Sequence, residues 1–282
     1  MKKTNEEMQV LVNKATAGDE QAIERLIEEV QDLVFNLSLR MLGTFPDAQD
    51  ATQDILLKMI THLSQFRGDS SFTTWVFSIA SNHLKDSKKH MFAQVPFSFE
   101  MYGADIESAD LDSVPDMAEG VDRHILAEEL KMSCTNVMLQ CLEPEDRCIF
   151  ILGTMFKLDS RIAGEALGMT AEAYRQRLCR ARRKMADFLK RYCGEYGAGS
   201  CRCFDRVNYA IASHRIMPQH LSYAMAEEVP AETMMEVKDA MEAIDELSQE
   251  LSSCKAYRSP EHIRRNVREL LDSTQLATVR NA

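Results

Sequence analysis

Glycine and proline are scarce in this sequence, which has 11 glycines and 7 prolines among 282 residues. Proteins rich in β-sheet need many tight turns, so this composition disfavours an all-β chain and favours long helices. Long apolar runs are also missing. No window approaches the length of a membrane span, and the N-terminal stretch lacks the apolar core of a signal peptide. The sequence therefore predicts a cytosolic, helical protein with no membrane-inserted segment.

The sequence also lacks the motifs that identify common enzymes. It has no glycine-rich nucleotide loop, no zinc-hydrolase motif and no spacing that pairs a nucleophile with a base. An enzyme is therefore disfavoured, and no motif requires a cofactor. Eight cysteines are present. In a reducing cytosol they serve as buried apolar residues, metal ligands or redox sensors more often than as disulfides, so no disulfide is predicted.

Charge is unevenly distributed along the chain. The net charge of −11 disfavours a protein that coats nucleic acid without selectivity, because such binding rests on Lys and Arg at the phosphates. Residues 170–192 nevertheless carry eight basic and two acidic residues, a local charge of +6. Residues 93–129 carry ten acidic residues and one basic residue, a local charge of −9. The charge is thus sorted by segment.

Length and helix breaks predict an all-α chain with two helical domains. A chain of 282 residues exceeds one typical domain. Residues 6–91 read as almost continuous helix with short breaks, and Asp19 can cap the helix after the first break. Residues 92–121 lack periodicity and hold much of the acidic run, which indicates a linker. We expect helical domains at 1–91 and 122–192, an acidic linker at 92–121 and a helical C-terminal extension at 193–282.

Two predicted helices of the first domain carry distinct faces. After Pro46, apolar residues repeat at helical spacing through Leu63. They leave one polar face, made of Asp50, Gln53, Asp54 and Lys58. A further helix begins near Ser71 and has an apolar side made of Phe72, Trp75 and Ile79.

Residues 160–178 read as helix, tight turn, helix. Ala163 is small enough for a close crossing, Gly168 can adopt a positive φ, and Thr170 can cap the second helix. One side of that helix is apolar and the other is almost wholly Arg, Lys and Gln, as expected in a DNA major groove. The candidate DNA-binding residues are Thr170, Glu172, Arg175, Gln176, Arg177, Arg180, Arg182 and Arg183. Those near the helix start would read bases and the later arginines would touch phosphates. A solvated basic face is the alternative.

The extension opens with a cysteine cluster. Cys193, Cys201 and Cys203 lie around a glycine-rich turn, and with a histidine or Cys254 they could form a tetrahedral zinc site. Their C-x-C pair is closer than the usual spacing of about two to four residues between ligands. Redox sensing and an incidental structural role therefore stay open.

Two other features of the second half need an explanation. Cys134, Cys141 and Cys148 recur every seven residues, which predicts one buried helix face. Further on, an amphipathic helix is predicted between Met234 and Leu247. It would pack within the extension or against a partner.

Taken together, both halves resemble the short sigma factors of the extracytoplasmic-function group, in the sigma-70 family of bacterial RNA polymerase. The matching motifs of the first half are Ala17-Gly18-Asp19, Asp47 to Asp54, Phe66-Arg67-Gly68, Phe72 to Trp75, Ile79 to Asn82 and Asp86. Those of the second half are Leu142 to Arg147, the helix-turn-helix and Arg177 to Arg182. The resemblance makes residues 1–91 sigma region 2 and residues 122–192 sigma region 4. It implies core RNA polymerase and promoter DNA as partners, with an anti-sigma factor as a further candidate.

The resemblance also implies roles at matching positions. Asp50, Gln53 and Asp54 would dock on the clamp of the largest polymerase subunit, where carboxylates could meet basic groups; a solvated acidic face is the alternative. The minus-ten element would be held as single-stranded DNA by Arg67, Gly68, Ser70, Trp75, Asn82, Lys85, Lys88 and Lys89. Trp75 lies on an apolar stripe, so a core position is the alternative to stacking on DNA. The acidic linker would thread the polymerase channels or act as a solubilising tether.

Two other function classes stay open. A stand-alone helix-turn-helix regulator explains residues 160–190 but leaves the motifs of the first half unused. A metal or redox sensor would make DNA binding subordinate to the cysteines. The sequence departs from the family pattern at Arg161, Gly164 and Tyr174. These departures bear on which promoter sequence is recognised more than on the fold.

Overall fold

The computed structural model describes residues 5–86, 97–111, 113–118, 120–226, 228–229 and 256–272. The helices are α1 (Asn5–Thr16), α2 (Glu20–Leu42), α3 (Phe45–Thr61), α4 (Phe72–Asp86), α5 (Phe99–Ser108), α6 (Arg123–Gln140), α7 (Pro144–Phe150), α8 (Ser160–Leu167), α9 (Ala171–Tyr192), α10 (Val207–Ala212) and α11 (Glu261–Asp272). A 3₁₀ turn spans Leu63–Gln65 and a π turn spans Ile151–Met155. The strands described, β1 (Glu228–Val229) and β2 (Ala256–Tyr257), form one short antiparallel pair. The predicted all-α fold is confirmed.

Helix α2 is capped at both ends, and its N-cap is Asp19, as the sequence predicts. Asp19 Oδ1 accepts a hydrogen bond from Ala22 N at 3.1 Å and so caps α2. At the other end Gly43 adopts φ 88°, a left-handed conformation that favours glycine, and its N–H donates to Leu39 O at 2.8 Å. Thr44 then caps α3. Consecutive caps turn the chain within two residues, so α3 folds back onto α2.

Helix α2 lies at the centre of the first half. All residues from Leu33 to Leu42 are buried, including Arg40. A helix that is buried on every side needs neighbours all round it, and α1, α3 and α4 pack against α2. Arg40 reaches beyond these helices, because its Nη1 donates to Asn136 Oδ1 of α6 at 3.0 Å.

The hydrophobic core continues from the first predicted domain into the second. Helix α4 packs against α7 and α8, and the rings of Phe77 and Phe156 lie 6.1 Å apart. The Cys148 thiol donates to Ser81 Oγ at 3.4 Å in the same contact. The described residues of the first domain, 5–86, therefore share packing with residues 122–192, although a linker separates the two domains in sequence.

The segment predicted to be an acidic linker, residues 92–121, contains helix α5. Tyr102 and Ile106 are buried, and the Tyr102 ring stacks on Phe188 of α9 at 5.3 Å. One acidic residue of α5 also has a partner in α9, since Glu107 pairs with Arg191 at 3.2 Å. A short helix with two apolar anchors has too few residues to show periodicity, and tertiary packing supplies its stability.

The three cysteines at seven-residue spacing do not form one helix face. Cys134 lies on α6, Cys141 is the C-cap of α6, and Cys148 lies on α7. Pro144 begins the new helix between the last two, which interrupts the register. The prediction of a single buried face is therefore wrong.

The C-terminal extension packs on both halves of the chain. Val207, Ala210 and Ile211 of α10 form a small buried cluster with Leu126 and Leu130 of α6. The last described segment, residues 256–272, packs against α2 and α3. The predicted helix from Met234 to Leu247 lies outside the described residues. None of the helices in the described ranges is long and apolar enough to cross a membrane.

Candidate polymerase and DNA interfaces

The polar face of α3 has the orientation that the sequence predicts. The buried side of the helix consists of Ala48, Ala51, Thr52, Ile55, Leu56, Met59 and Ile60. Asp50 and Asp54 are exposed, whereas Gln53 is half-buried. The half-burial has a specific cause: Gln53 Oε1 accepts a hydrogen bond from Asn266 Nδ2 of α11 at 3.4 Å. The two carboxylates therefore face solvent while Gln53 faces the extension.

A groove of about 850 Å³ separates α3 from α4. Its lining includes Asp50 and Asp54 from α3 and Trp75 and Asn82 from α4. The sequence assigned the first pair to polymerase binding and the second pair to single-stranded DNA. Because all four side chains line one groove, the two predicted surfaces are adjacent.

His83 and Lys58 also line this groove and were not among the predicted site residues. Lys58 Nζ lies 2.7 Å from His83 Nδ1, and His83 Nε2 lies 3.9 Å from Asp54 Oδ2. Burial lowers the pKa of His83, and the positive charge of Lys58 lowers it further. A neutral imidazole can accept a hydrogen bond from Lys58, so a hydrogen-bonded pair of polar side chains lines the groove. Helical spacing from Trp75 along α4 could have placed His83 on this side.

The loop between the 3₁₀ turn and α4 is held in a defined shape. Arg67 and Gly68 are exposed. Gly68 adopts φ 78°, and a Cβ there would lie 2.7 Å from Gln9 Oε1 of α1. Ser70 Oγ donates to the Ser71 carbonyl at 3.3 Å, and Ser71 Oγ accepts a backbone N–H of the first turn of α4 at 3.1 Å. The loop thus presents Arg67 to solvent beside the start of α4.

Trp75 is partly packed in the core and partly exposed to the groove. Its ring packs in an aromatic cluster with Phe66 and Phe72, with centroids 5.5 and 5.8 Å away. It is only half-buried, and its remaining surface lines the groove. Packing on one side fixes the ring, which leaves the other side available for contact with a partner.

The later polar residues of α4 are placed only in part. Asn82 is exposed and lines the groove, and Lys85 is half-buried. Lys88 and Lys89 lie outside the described residues. Their predicted contacts with phosphates stay predictions.

The helix-turn-helix has the turn chemistry that the sequence predicts. Gly168 adopts φ 68°, and Thr170 Oγ1 accepts from Ala173 N at 3.2 Å to cap α9. Gly164, a departure from the family pattern, also has a structural reason. A Cβ at this position would lie 2.8 Å from Met169 O, so the tight crossing of the turn requires glycine.

Five of the predicted DNA-binding residues lie on the exposed side of α9. They are Glu172, Arg175, Gln176, Arg180 and Arg183. Arg175 Nη1 donates to Ser160 Oγ of α8 at 3.0 Å, in a contact exposed to solvent. Opposite them, Tyr174, Leu178, Ala181 and Met185 are buried. The predicted separation of a basic side from an apolar side is therefore confirmed.

Arg177 and Arg182 have partners within the chain, so their predicted contacts with DNA stay predictions. Arg177 is half-buried and pairs with Glu145 and Asp146 of α7, at 2.6 and 2.7 Å. Arg182 Nε donates to Thr154 Oγ1 at 3.0 Å. Both guanidinium groups hold α9 against α7 and the π turn. The Thr170 hydroxyl is likewise engaged in capping.

The sequence is similar to several known proteins. Residues 26–90 match the family model for sigma-70 region 2. The RNA polymerase sigma-H factor of Pseudomonas aeruginosa is 30% identical over 145 residues, which are 51% of this chain and 72% of that protein. The ECF RNA polymerase sigma-E factor of Escherichia coli K12 is 30% identical over 142 residues, which are 49% of this chain and 70% of that protein. This chain is an extracytoplasmic-function sigma factor of the sigma-70 family.

Two further similarities extend the comparison. RNA polymerase sigma factor NccH of Alcaligenes xylosoxydans xylosoxydans is 29% identical over 184 residues, 64% of this sigma factor and 94% of that protein. A solved structure described as CnrH in complex with the cytosolic domain of CnrY aligns with TM-score 0.48 and 19% identity, over 64% of this chain and 95% of that chain. As its family does, this sigma factor acts with RNA polymerase in transcription initiation.

The three cysteines predicted as zinc ligands lie at and beyond the end of α9 in this sigma factor. Cys193 and Cys201 are neighbours, because Gly194 N donates to Cys201 O at 2.8 Å and Cys201 N to Tyr192 O at 3.0 Å. No three His, Cys, Asp or Glu residues of the described segments are grouped so that they could hold a metal ion. Cys254 lies outside those segments. A zinc site made by Cys193, Cys201 and Cys203 is therefore not supported by their arrangement.

Burial sets the acidity of most of the sigma factor's thiols. It raises the pKa of Cys134 and of Cys148 to about 11, and it also raises the pKa values of Cys201 and Cys203. Redox-sensing cysteines usually have lowered pKa values, because the thiolate is the reactive form. These four environments therefore favour inert thiols. Cys179, in contrast, is exposed on α9.

Proposed function

We propose that the α3–α4 groove is the contact region through which this sigma factor engages core polymerase and the unpaired promoter strand. The observation that carries the proposal is the placement of Asp50 and Asp54 opposite Trp75 and Asn82 in one groove. The exposed carboxylates of α3 would meet basic groups of the polymerase clamp. The α4 side and the loop at Arg67 would receive an unstacked base, which needs a pocket to offset the cost of unpairing.

We also propose that α9 contacts the upstream duplex through its exposed side. Glu172, Arg175 and Gln176 near its N-terminus are suited to base edges, and Arg180 and Arg183 to phosphates. The groove and α9 would then act on different promoter elements. An anti-sigma factor is a further partner that we propose from the family alone.

The affinity of a double variant for core polymerase tests the proposed docking face. Asp50→Asn/Asp54→Asn removes two negative charges without changing the size of the side chains. We expect the dissociation constant for core polymerase to rise about tenfold or more, because charge complementarity at the docking face is lost. Fluorescence anisotropy of labelled protein titrated with core polymerase measures it.

Glu165→Gln is the control for loss of a carboxylate elsewhere, since Glu165 is exposed on α8, away from the groove. The control should bind as the wild type does. Equal binding by the double variant, the control and the wild type would show that the α3 carboxylates do not dock on polymerase.

A further inference from the structure

The end of the C-terminal extension is anchored in the core of sigma region 2. Tyr257 is fully buried, and its backbone N–H and carbonyl both bond the Asn36 side chain of α2, at 2.9 and 2.6 Å. Its ring packs edge-on against Phe45 at 5.7 Å. Two residues further on, Ser259 N donates to Asp32 Oδ1 at 2.7 Å. These contacts fix the chain immediately before α11.

From this anchor, α11 runs over the surface formed by α2 and α3. Ile263 and Val267, one turn apart, are fully buried and define its inner face. Two ion pairs at the edge of α11 join it to α2: Arg264 Nη1 lies 2.9 Å from Glu28 Oε1, and Arg268 pairs with Glu24.

The position of α11 bears directly on the proposed docking face. Asn266 donates to Gln53, the half-buried member of that face. Asp50 and Asp54 stay exposed on the groove side of the same helix. A partner that spreads over the whole polar face of α3 must displace α11, because both would occupy the surface around Gln53.

We propose that residues 256–272 act as a cis inhibitor that covers part of the α3 docking face and must leave before core polymerase binds fully. The inference rests on the proposed role of α3. Because the helix is part of the same chain, its effective concentration at this surface is high. The apparent affinity for polymerase is then reduced by the fraction of molecules in which α11 is undocked.

The test compares the affinity for core polymerase of the full-length wild type and of two full-length variants. Ile263→Glu/Val267→Glu places two carboxylates at fully buried positions, which α11 cannot keep while docked. Arg265→Glu changes the net charge by the same amount at an exposed position of α11 and is the matched control. Hydrogen exchange of residues 261–272 reports release of the helix, and circular dichroism reports that the remaining helices are folded.

We expect the released variant to bind core polymerase about tenfold tighter or more, with the control unchanged from the wild type. Adding Asp50→Asn/Asp54→Asn to the released variant should remove the gain, since the exposed face is then altered. If the released variant binds no tighter than the control while the wild type binds polymerase through its α3 carboxylates, the cis inhibitor is refuted and the docking face stands. If Asp50→Asn/Asp54→Asn leaves the affinity for core polymerase unchanged in both the wild type and the released variant, both proposals fail together.

Discussion

Arg147 joins the two sigma regions through hydrogen bonds to backbone carbonyls on both sides. It is 6% exposed, and its guanidinium donates to Leu139, Leu142 and Gln140 at the end of α6 and to Met41 at the end of α2. The four distances are 2.9, 3.0, 3.2 and 2.6 Å, respectively. Removing the side chain would leave these carbonyls without that donor in a buried place.

The expected cost of Arg147→Ala follows from this environment. Hydrogen bonds to a charged group contribute about 1.5–3 kcal/mol each, but four bonds that share one group do not add. Burial of the guanidinium itself opposes them, and it lowers the pKa of Arg147 to about 10. Each buried carbonyl that loses its donor costs about 1–3 kcal/mol, and the costs of four carbonyls that share one donor add only in part. We therefore expect the free energy of unfolding to fall by about 3–5 kcal/mol.

Urea unfolding followed by far-ultraviolet circular dichroism measures this loss. Arg175→Ala is the control, because Arg175 is exposed and bonds only Ser160 among the contacts described, so a change within about 0.5 kcal/mol is expected. Arg147→Lys keeps the charge but not the forked geometry, and it should recover only part of the loss. A fall of less than about 1 kcal/mol in Arg147→Ala would refute the reasoning that this side chain holds the two regions together.

Two further predictions concern α9 and the thiols. Arg183→Ala should weaken the binding of holoenzyme to different promoters by a similar factor and lower the slope of affinity against salt by about one, as for loss of a phosphate contact; anisotropy titrations at several salt concentrations measure both, and a loss confined to one promoter would contradict the assignment. With a pKa of about 11, the Cys148 thiol should be alkylated far more slowly at pH 8 than Cys179, which is exposed. Mass spectrometry of partly alkylated protein gives the order, and early modification of Cys148 would contradict its burial.

Local features of this fold could be predicted from sequence because neighbouring residues create them. Asp19, Gly168 and Thr170 act within one helical turn, and the structure confirms each of them. The polar side of α3 follows from helical periodicity in the same way. Helix caps and amphipathic helix faces can therefore be predicted from the local sequence.

Features that depend on distant partners could not be predicted in this way. The sequence predicts that Arg177 contacts DNA, but it does not indicate the ion pairs of Arg177 with Glu145 and Asp146, about thirty residues earlier in the chain. Tyr257 bonds Asn36 across a separation of 221 residues, so no local pattern indicates it. These pairs depend on how helices pack, and the sequence of either partner alone carries no signal for the other.

This sigma factor is expected to direct core RNA polymerase to specific promoters. The decisive measurement is transcription with purified core polymerase on genomic DNA from the source organism, followed by sequencing of the RNA 5′ ends. We predict discrete start sites that appear only when the chain is added and that share upstream sequence elements. No added start sites, with either the wild type or the Ile263→Glu/Val267→Glu variant, would contradict the account.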